Sequence, residues 1–292
     1  MKKRKAMAAV LAAVLSLLSV SAAYAEEAYV SVVDTAEQAD SLAGEYIPVL
    51  MYHHFAMRNM GIGNGVVTTT KELEEQLRYF QSQGYHIISL EELDALLARA
   101  ERNPEGLGLG LGEKYLCITM DDGYYSNYDL AFPLFRKYRV PASVFAVTDF
   151  VTEQIGLKKF TWEQAEKMDK SGFLRVYSHT ANHQPVEEGE EEAFLASMQR
   201  SEETLNENLS KKHVKAMAYP NGRYTELSQR MLEEDGYVLQ FTVENSVITR
   251  QTKRNAIPRI TIESGMDGAD VVRKIELTAE KVFAAEGEGN EI

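Results

Sequence analysis

Short apolar runs alternate with single amphipathic segments along most of this 292-residue chain, and that alternation limits its fold more than any other feature. Residues 47–52, 85–90, 115–118, 141–147, 173–177, 213–219, 237–243 and 256–262 read as strands. The run 115–118 is apolar throughout, as strands covered on both faces are. Helical patterns fall between them, at 71–83, 91–102, 126–138, 161–171, 187–210, 225–235 and 267–285. Thr69 or Thr70 supplies a cap for the first of these, and Gly84, Gly172 and Gly236 stand where helices stop. Strands joined by single helices lie parallel, through right-handed crossovers. Seven or eight such units in this length predict an α/β fold, a (β/α) barrel, complete or distorted.

Chemistry in such barrels gathers at the carboxyl ends of the strands. The conspicuous polar residues fall there: His53 and His54 after the first strand, Asp121 and Asp122 after the third, His179 and His183 after the fifth, Tyr219 and Pro220 after the sixth. A buried carboxylate without a partner is costly, so the two acids need a cation, a metal or water. Asp122-Gly123 is also a common turn pair, and a surface turn is the plainer reading of that stretch alone. His179 and His183 stand four apart, which brings both rings to one side of a helical turn; a polar loop is the plain alternative. Thr180 occupies the place where a zincin carries Glu, which argues against a metalloprotease of that type. Two imidazoles and one carboxylate, from Asp121 or Asp122, leave an open coordination position, as catalytic zinc requires. The other acid is then free to act as a base.

The first 25 residues read as a signal peptide. Lys2, Lys3, Arg4 and Lys5 form a basic start, residues 6–20 an apolar stretch, and Ala23-Tyr24-Ala25 a small-residue cleavage site before Glu26. The apolar stretch is short for a membrane span, so no stable span is expected after cleavage. The expected product is secreted, cell-surface or periplasmic, from a bacterium. Residues 26–44 read as a linker, 45–286 as the catalytic domain and 287–292 as a tail. The chain carries −13, and removing four basic residues with no acid leaves −17. That surface repels phosphate backbones, so nucleic acid is not a partner. Cys117 is the single cysteine; set among apolar residues, it reads as a buried inert thiol. Nothing in the sequence specifies an oligomeric state.

Thr119-Met120-Asp121-Asp122-Gly123 with His179-Thr180-Ala181-Asn182-His183 resembles the first two motifs of the polysaccharide deacetylases, the NodB homology domain of carbohydrate esterase family 4. Those motifs usually read T-F-D-D-G and H-[ST]-x-x-H. Residues 162–172 leading into Ser178 extend the resemblance, which spans about 47–262. It implies a distorted (β/α) barrel, with Asp121 as general base and Asp122, His179 and His183 holding a divalent metal, zinc before cobalt or nickel. Tyr219-Pro220 matches the end of the R-x-x-Y-P motif, which implies that the Tyr219 N–H helps hold an oxyanion. Ala216 stands where that motif has the arginine that tethers the base, and no histidine follows His213 to supply the usual late acid.

A subgroup acting on extracellular poly-N-acetylglucosamine carries its acid histidine early, in a Y-H sequence that Tyr52-His53 is similar to. The resemblance thus makes His53 the acid, and Ile257-Pro258-Arg259-Ile260 makes Arg259 the replacement tether for Asp121. The implied activity is metal-dependent hydrolysis of N-acetyl groups on a cell-wall or extracellular acetylated polysaccharide. A poly-β-1,6-N-acetylglucosamine is favoured, with peptidoglycan next. The alternative is a non-catalytic carbohydrate-binding protein on a degenerate barrel. Tyr124, after Gly123, and Trp162, opening a helix, are expected at the substrate groove, although core packing serves Trp162 equally well. His54 is expected behind the site or on the surface, His86 and His213 to be ordinary, and the acidic helix 187–210 to be a solvated face.

Overall fold

The computed structural model describes residues 42, 44–59, 65–102, 107–110 and 112–288. The expected signal peptide and nearly all of the expected linker lie outside the described residues. The chain divides into a unit of residues 1–42 and a unit of residues 43–292, and only the second is described below.

In chain order its elements are β1 (Val49–Tyr52), β2 (His54–Ala56), β3 (Val67–Thr69), α1 (Thr70–Ser82), β4 (Tyr85–Ile88), α2 (Leu90–Ala100) and β5 (Lys114–Asp121). A π-helical turn (Asn127–Ala131) then runs into α3 (Phe132–Tyr138), followed by β6 (Ala142–Ala146), α4 (Trp162–Ser171), β7 (Leu174–Ser178) and α5 (Glu191–Asn208). The remainder is β8 (Ala216–Ala218), α6 (Glu226–Glu234), β9 (Leu239–Phe241), β10 (Ile260–Thr261) and α7 (Gly268–Glu288). Among the described residues no helix is long and apolar enough to cross a membrane.

Eight strands form one parallel sheet in the order β10-β1-β5-β6-β7-β8-β9, with β4 off that path and paired to β5. The long strand β5 explains the distortion. Its first half, Lys114 to Cys117, pairs with β4, and its second half, Cys117 to Met120, pairs with β1. Closure is made by one short segment, in which Ile257 bridges Phe241 of β9 and Ile260 pairs with Leu50 of β1. The expected distorted barrel is therefore the observed one. A separate two-stranded ladder, β2 with β3, was not legible in the sequence, since three residues each show no period.

Helix starts follow a local rule. Thr69, Ser89, Thr161 and Thr225 each accept from the backbone N–H three residues on, and the residue there reaches back to the cap. These reciprocal bonds satisfy donors that helix geometry leaves free, for about 1 kcal/mol each. Inside the barrel, Val49, Cys117, Phe145, Tyr177, Ala216, Ala218, Leu239, Phe241 and Ile257 form one core. Each larger apolar side chain buried there contributes about 1.5–3 kcal/mol. Residues of opposite parity, Met217 and Tyr219, instead meet Phe194, Met198, Leu232 and Tyr237 under the helices.

Candidate metal centre and catalytic site

The end of β5 separates its two acids. Asp121 is the last strand residue and is 3% exposed. The backbone then turns left-handed, with φ of 71° at Asp122 and 68° at Gly123, which throws the second carboxylate back over the strand end. Only glycine suits the second position. A Cβ there would meet Phe160 at 3.2 Å and Ala146 at 3.3 Å, on a backbone that L side chains rarely adopt.

Asp122, His179 and His183 converge. Nε2 of His179 lies 3.8 Å, and Nε2 of His183 3.5 Å, from Asp122 Oδ1, and all three ligand atoms fall within 4.8 Å of one another. Those separations exceed hydrogen bonds but approach the edge of a tetrahedron around zinc, about 3.3–3.4 Å for bonds of 2.0–2.1 Å. The donor set fits a divalent cation for a second reason. His179 Nδ1 lies 2.7 Å from Ala218 O, which fixes that nitrogen as the donor and leaves Nε2 free to ligate. Burial pushes the His179 pKa down, against the raising effect of Asp121 and Asp122, so the ring favours its neutral, ligating form. The His183 side chain is 30% exposed and that of His179 3%, so the site opens on the His183 side.

The histidine loop is strained in the same way. Thr180 and His183 have φ of 66° and 58°, and a β-branched residue there is a genuine outlier. Such strain persists only where surroundings over-determine it. Here Thr180 Oγ1 accepts from the His183 N–H at 2.9 Å, and Ser197 of α5 accepts from the Ala181 N–H and donates to Asn182. Ser201 lies 2.8 Å from Ser178. The acidic helix is thus more than a solvated face. It also begins at Glu191, later than expected, and buries Phe194, Ser197, Met198 and Ser201 against the loop it braces.

Asp121 faces Arg259. The guanidinium holds both carboxylate oxygens, at 2.7 and 2.8 Å, and spends its Nε on Thr242 O at 2.8 Å. Arg259 is fully buried. Burial acts to raise the Asp121 carboxyl, but the charge of Arg259, with His179, the hydrogen bonds of Arg259 and His53, holds it well below the usual carboxylate range. His53 follows Tyr52, which pairs with Met120; one more step of that register sets His53 beside Asp121. Its Nδ1 is buried without a hydrogen-bond partner.

Tyr124 presents its ring between two groups: Lys159 Nζ is 3.6 Å from the centroid, and the His54 ring meets it edge-on at 5.3 Å. Trp162 is the first residue of α4, half-buried, two residues beyond the Phe160 that packs under Gly123. Tyr219 departs from expectation. Its amide N–H donates to Phe241 O at 2.9 Å, within the β8–β9 pairing, and its side chain lies under the helices with a hydroxyl on Gln240. A peptide N–H spent in a ladder is not offered to an oxyanion. Pro220 is buried at the start of a single 3₁₀ turn, where a Cβ on Gly222 would lie 2.4 Å from Val243.

Four residues at the site escaped the sequence: Ser126, Asn127, Ser197 and Ser201. Ser126 and Asn127, beside a helix start, look like ordinary cap residues, and Ser197 and Ser201, inside α5, look like ordinary helix positions; only their contacts distinguish them. His213 was expected to be ordinary, yet its ring sits between Asp169, at 2.7 Å, and Glu91, at 3.2 Å. Cys117 is buried among apolar residues, and burial, with the charge of Glu92, pushes its thiol pKa up.

Residues 109–239 match the family model described as polysaccharide deacetylase. A Bacillus subtilis protein assigned to the polysaccharide deacetylases is 29% identical over 228 residues, 76% of this chain and 74% of that protein. A poly-β-1,6-N-acetyl-D-glucosamine N-deacetylase of Staphylococcus epidermidis is 25% identical over 206 residues, 67% of this chain and 68% of its own. Among solved structures, a Streptococcus pyogenes deacetylase in complex with acetate superposes with a TM-score of 0.69. It is 24% identical, and the match covers 79% of this chain and 98% of that one.

Proposed function

We propose, from the premise that this chain belongs to the polysaccharide deacetylase family, that it is an exported, zinc-dependent enzyme removing N-acetyl groups from an N-acetylglucosamine polymer. The products are acetate and a polymer bearing free amines. The observation that carries this reading is the buried Arg259–Asp121 fork standing beside the Asp122, His179 and His183 triad. It restores a tethered base to a chain that lacks the usual motif arginine, and so favours a working enzyme over a degenerate binding barrel.

Asp122, His179 and His183 would hold the ion. When bound, a divalent cation supplies Lewis acidity, polarising an acyl oxygen and lowering the pKa of water. Asp121, kept ionised by Arg259, accepts a proton at its carboxylate as water attacks the acetamide carbonyl. The two-point grip of Arg259 fixes the carboxylate plane, so the base needs no reorganisation when the proton moves. His53, beside Asp121 at the end of β1, delivers a proton to the departing amine, which cannot leave as an anion near neutral pH. Lys159 and Tyr124 form one wall beside Asp122, at which a sugar ring can rest.

For substrate, a poly-β-1,6-N-acetylglucosamine is favoured and peptidoglycan comes next, on the strength of the staphylococcal relative's activity and of Tyr52-His53. Acetate release should be measured from defined oligomers of each polymer, with protein reconstituted in zinc, cobalt or nickel. Release from the β-1,6 oligomer above the others is the expected result. Binding without release from any of them would support the non-catalytic reading instead.

A further inference from the structure

The acid assigned to His53 needs a fixed position, since it lies between two short strands and its own ring nitrogen Nδ1 has no hydrogen-bond partner. Besides the β2–β3 ladder, three side-chain bonds hold its segment, and all three come from two adjacent residues just beyond the Asp121-Asp122-Gly123 turn. Asn127 donates from Nδ2 to the His53 carbonyl at 2.9 Å. Ser126 Oγ accepts from the Phe55 N–H at 3.0 Å and lies 3.1 Å from His54 Nδ1. Having accepted from Phe55, the hydroxyl has its hydrogen free for His54, which makes His54 Nδ1 the acceptor. Burial, and then the charge of Lys159, push the His54 pKa down, in keeping with that neutral ring.

Asn127 is fully buried and Ser126 6% exposed, so neither is a solvated cap. Asn127 also opens the π-helical turn, its carbonyl accepting from the Phe132 N–H five residues on. Neighbours on a helix diverge by about 100°, yet both side chains reach one three-residue segment across the barrel rim. Single π-turns are rare and concentrate at functional sites. Keeping two buried polar side chains here serves no packing need that apolar ones would not meet better, since Asn127 Oδ1 remains without a partner.

We infer that Asn127, with Ser126, is a positioning residue for the reaction, holding the His53 backbone against the turn that carries the base and the metal ligand. The base, the ligand and the acid thereby share one rigid unit, and a shift of the acid relative to the base is prevented. This rests on His53 being the acid.

The test is a double-mutant cycle in the zinc-loaded enzyme, assaying acetate release, with the ¹H–¹³C resonance of the His53 ring followed in parallel. His53→Ala lowers kcat about 10²–10⁴-fold. Asn127→Ala lowers kcat about tenfold with KM and zinc content unchanged, broadens or shifts the His53 resonance, and has no further effect in the His53→Ala background. Asn127→Asp, which keeps shape and loses the donor, and Ser126→Ala give the same pattern should Asn127→Ala fold poorly. Additive losses, or wild-type turnover in Asn127→Ala, while His53→Ala remains impaired, overturn this inference and leave the acid assignment standing. Wild-type turnover in His53→Ala removes the assignment itself and the inference with it.

Discussion

Arg259 shows how one residue can govern the site through its charge and its two-point hydrogen-bonded grip. Its grip on Asp121 is fully buried, so removing it leaves a carboxylate with neither water nor cation. Arg259→Met should cost about 3–5 kcal/mol of stability at neutral pH. The pH dependence should also change sign. In the native chain the Asp121 pKa is depressed, so its contribution is present above the unfolded carboxyl value, about 3.9, and is lost as pH falls toward the folded value. In Arg259→Met, burial raises that pKa instead, so stability should grow as pH falls from 7 to 5. Urea midpoints across that range check it; parallel curves for the two proteins would refute the pairing. His183→Ala removes one of the three proposed ligands and should abolish measurable zinc retention and turnover while leaving far-UV circular dichroism unchanged. Equal zinc content in the two proteins would show that His183 is no ligand.

At the scale of elements, α5 and the turn after β5 are the parts that set the geometry of the proposed ligands. The helix buries Met198 fully, and Met198 Sδ accepts from the Ser178 hydroxyl at 3.7 Å, next to His179 in sequence. Met198→Ala should therefore destabilise by about 2–5 kcal/mol and weaken zinc affinity as the loop relaxes. Glu203→Ala, on the exposed side of the same helix, should change stability by less than about 0.5 kcal/mol and leave zinc affinity alone. Thermal melts and zinc competition titrations on both variants separate bracing from mere helical propensity. Gly123 is the counterpart in the turn. Its left-handed backbone lets two consecutive acids serve different partners, which a continuing strand would also separate but would aim to opposite faces of the sheet.

For the whole molecule, the closed barrel brings the ends of β1, β5 and β7 and the segment before β10 to one rim. The proposed acid follows β1, the proposed base and one proposed ligand stand together at the end of β5, the other two proposed ligands follow β7, and the tether precedes β10. Charge acts at this scale too, since the −17 expected after removal of the first 25 residues, which carry four basic side chains and no acid, would attract the proposed polymer as its amines were freed. Export belongs here as well. The basic and apolar start of the chain should be removed after Ala25, and Edman sequencing of the protein from culture medium or envelope should read Glu26 first. A retained Met1 would instead indicate an anchored form.

Much of this was legible in the sequence because it depends on neighbours. Apolar period, a threonine at the first helix start, and glycines at helix stops are local signals, and together they specify parallel units that close into a barrel. The motif carrying Asp121 and Asp122 and the motif carrying His179 and His183 are likewise short, and the family resemblance rests on them. What only the tertiary structure decided is which distant groups meet. The resemblance alone implied Arg259 as the tether of Asp121, 138 residues away, and nothing in the sequence pointed to Asn127 on His53, 74 away. The Tyr219 amide belongs to a ladder with β9, and His213 sits between two acids from α2 and α4. A buried ion pair or an unspent N–H is a property of closure, because desolvation and pairing act only once the barrel has excluded water, and no local pattern records which side chains will then face each other.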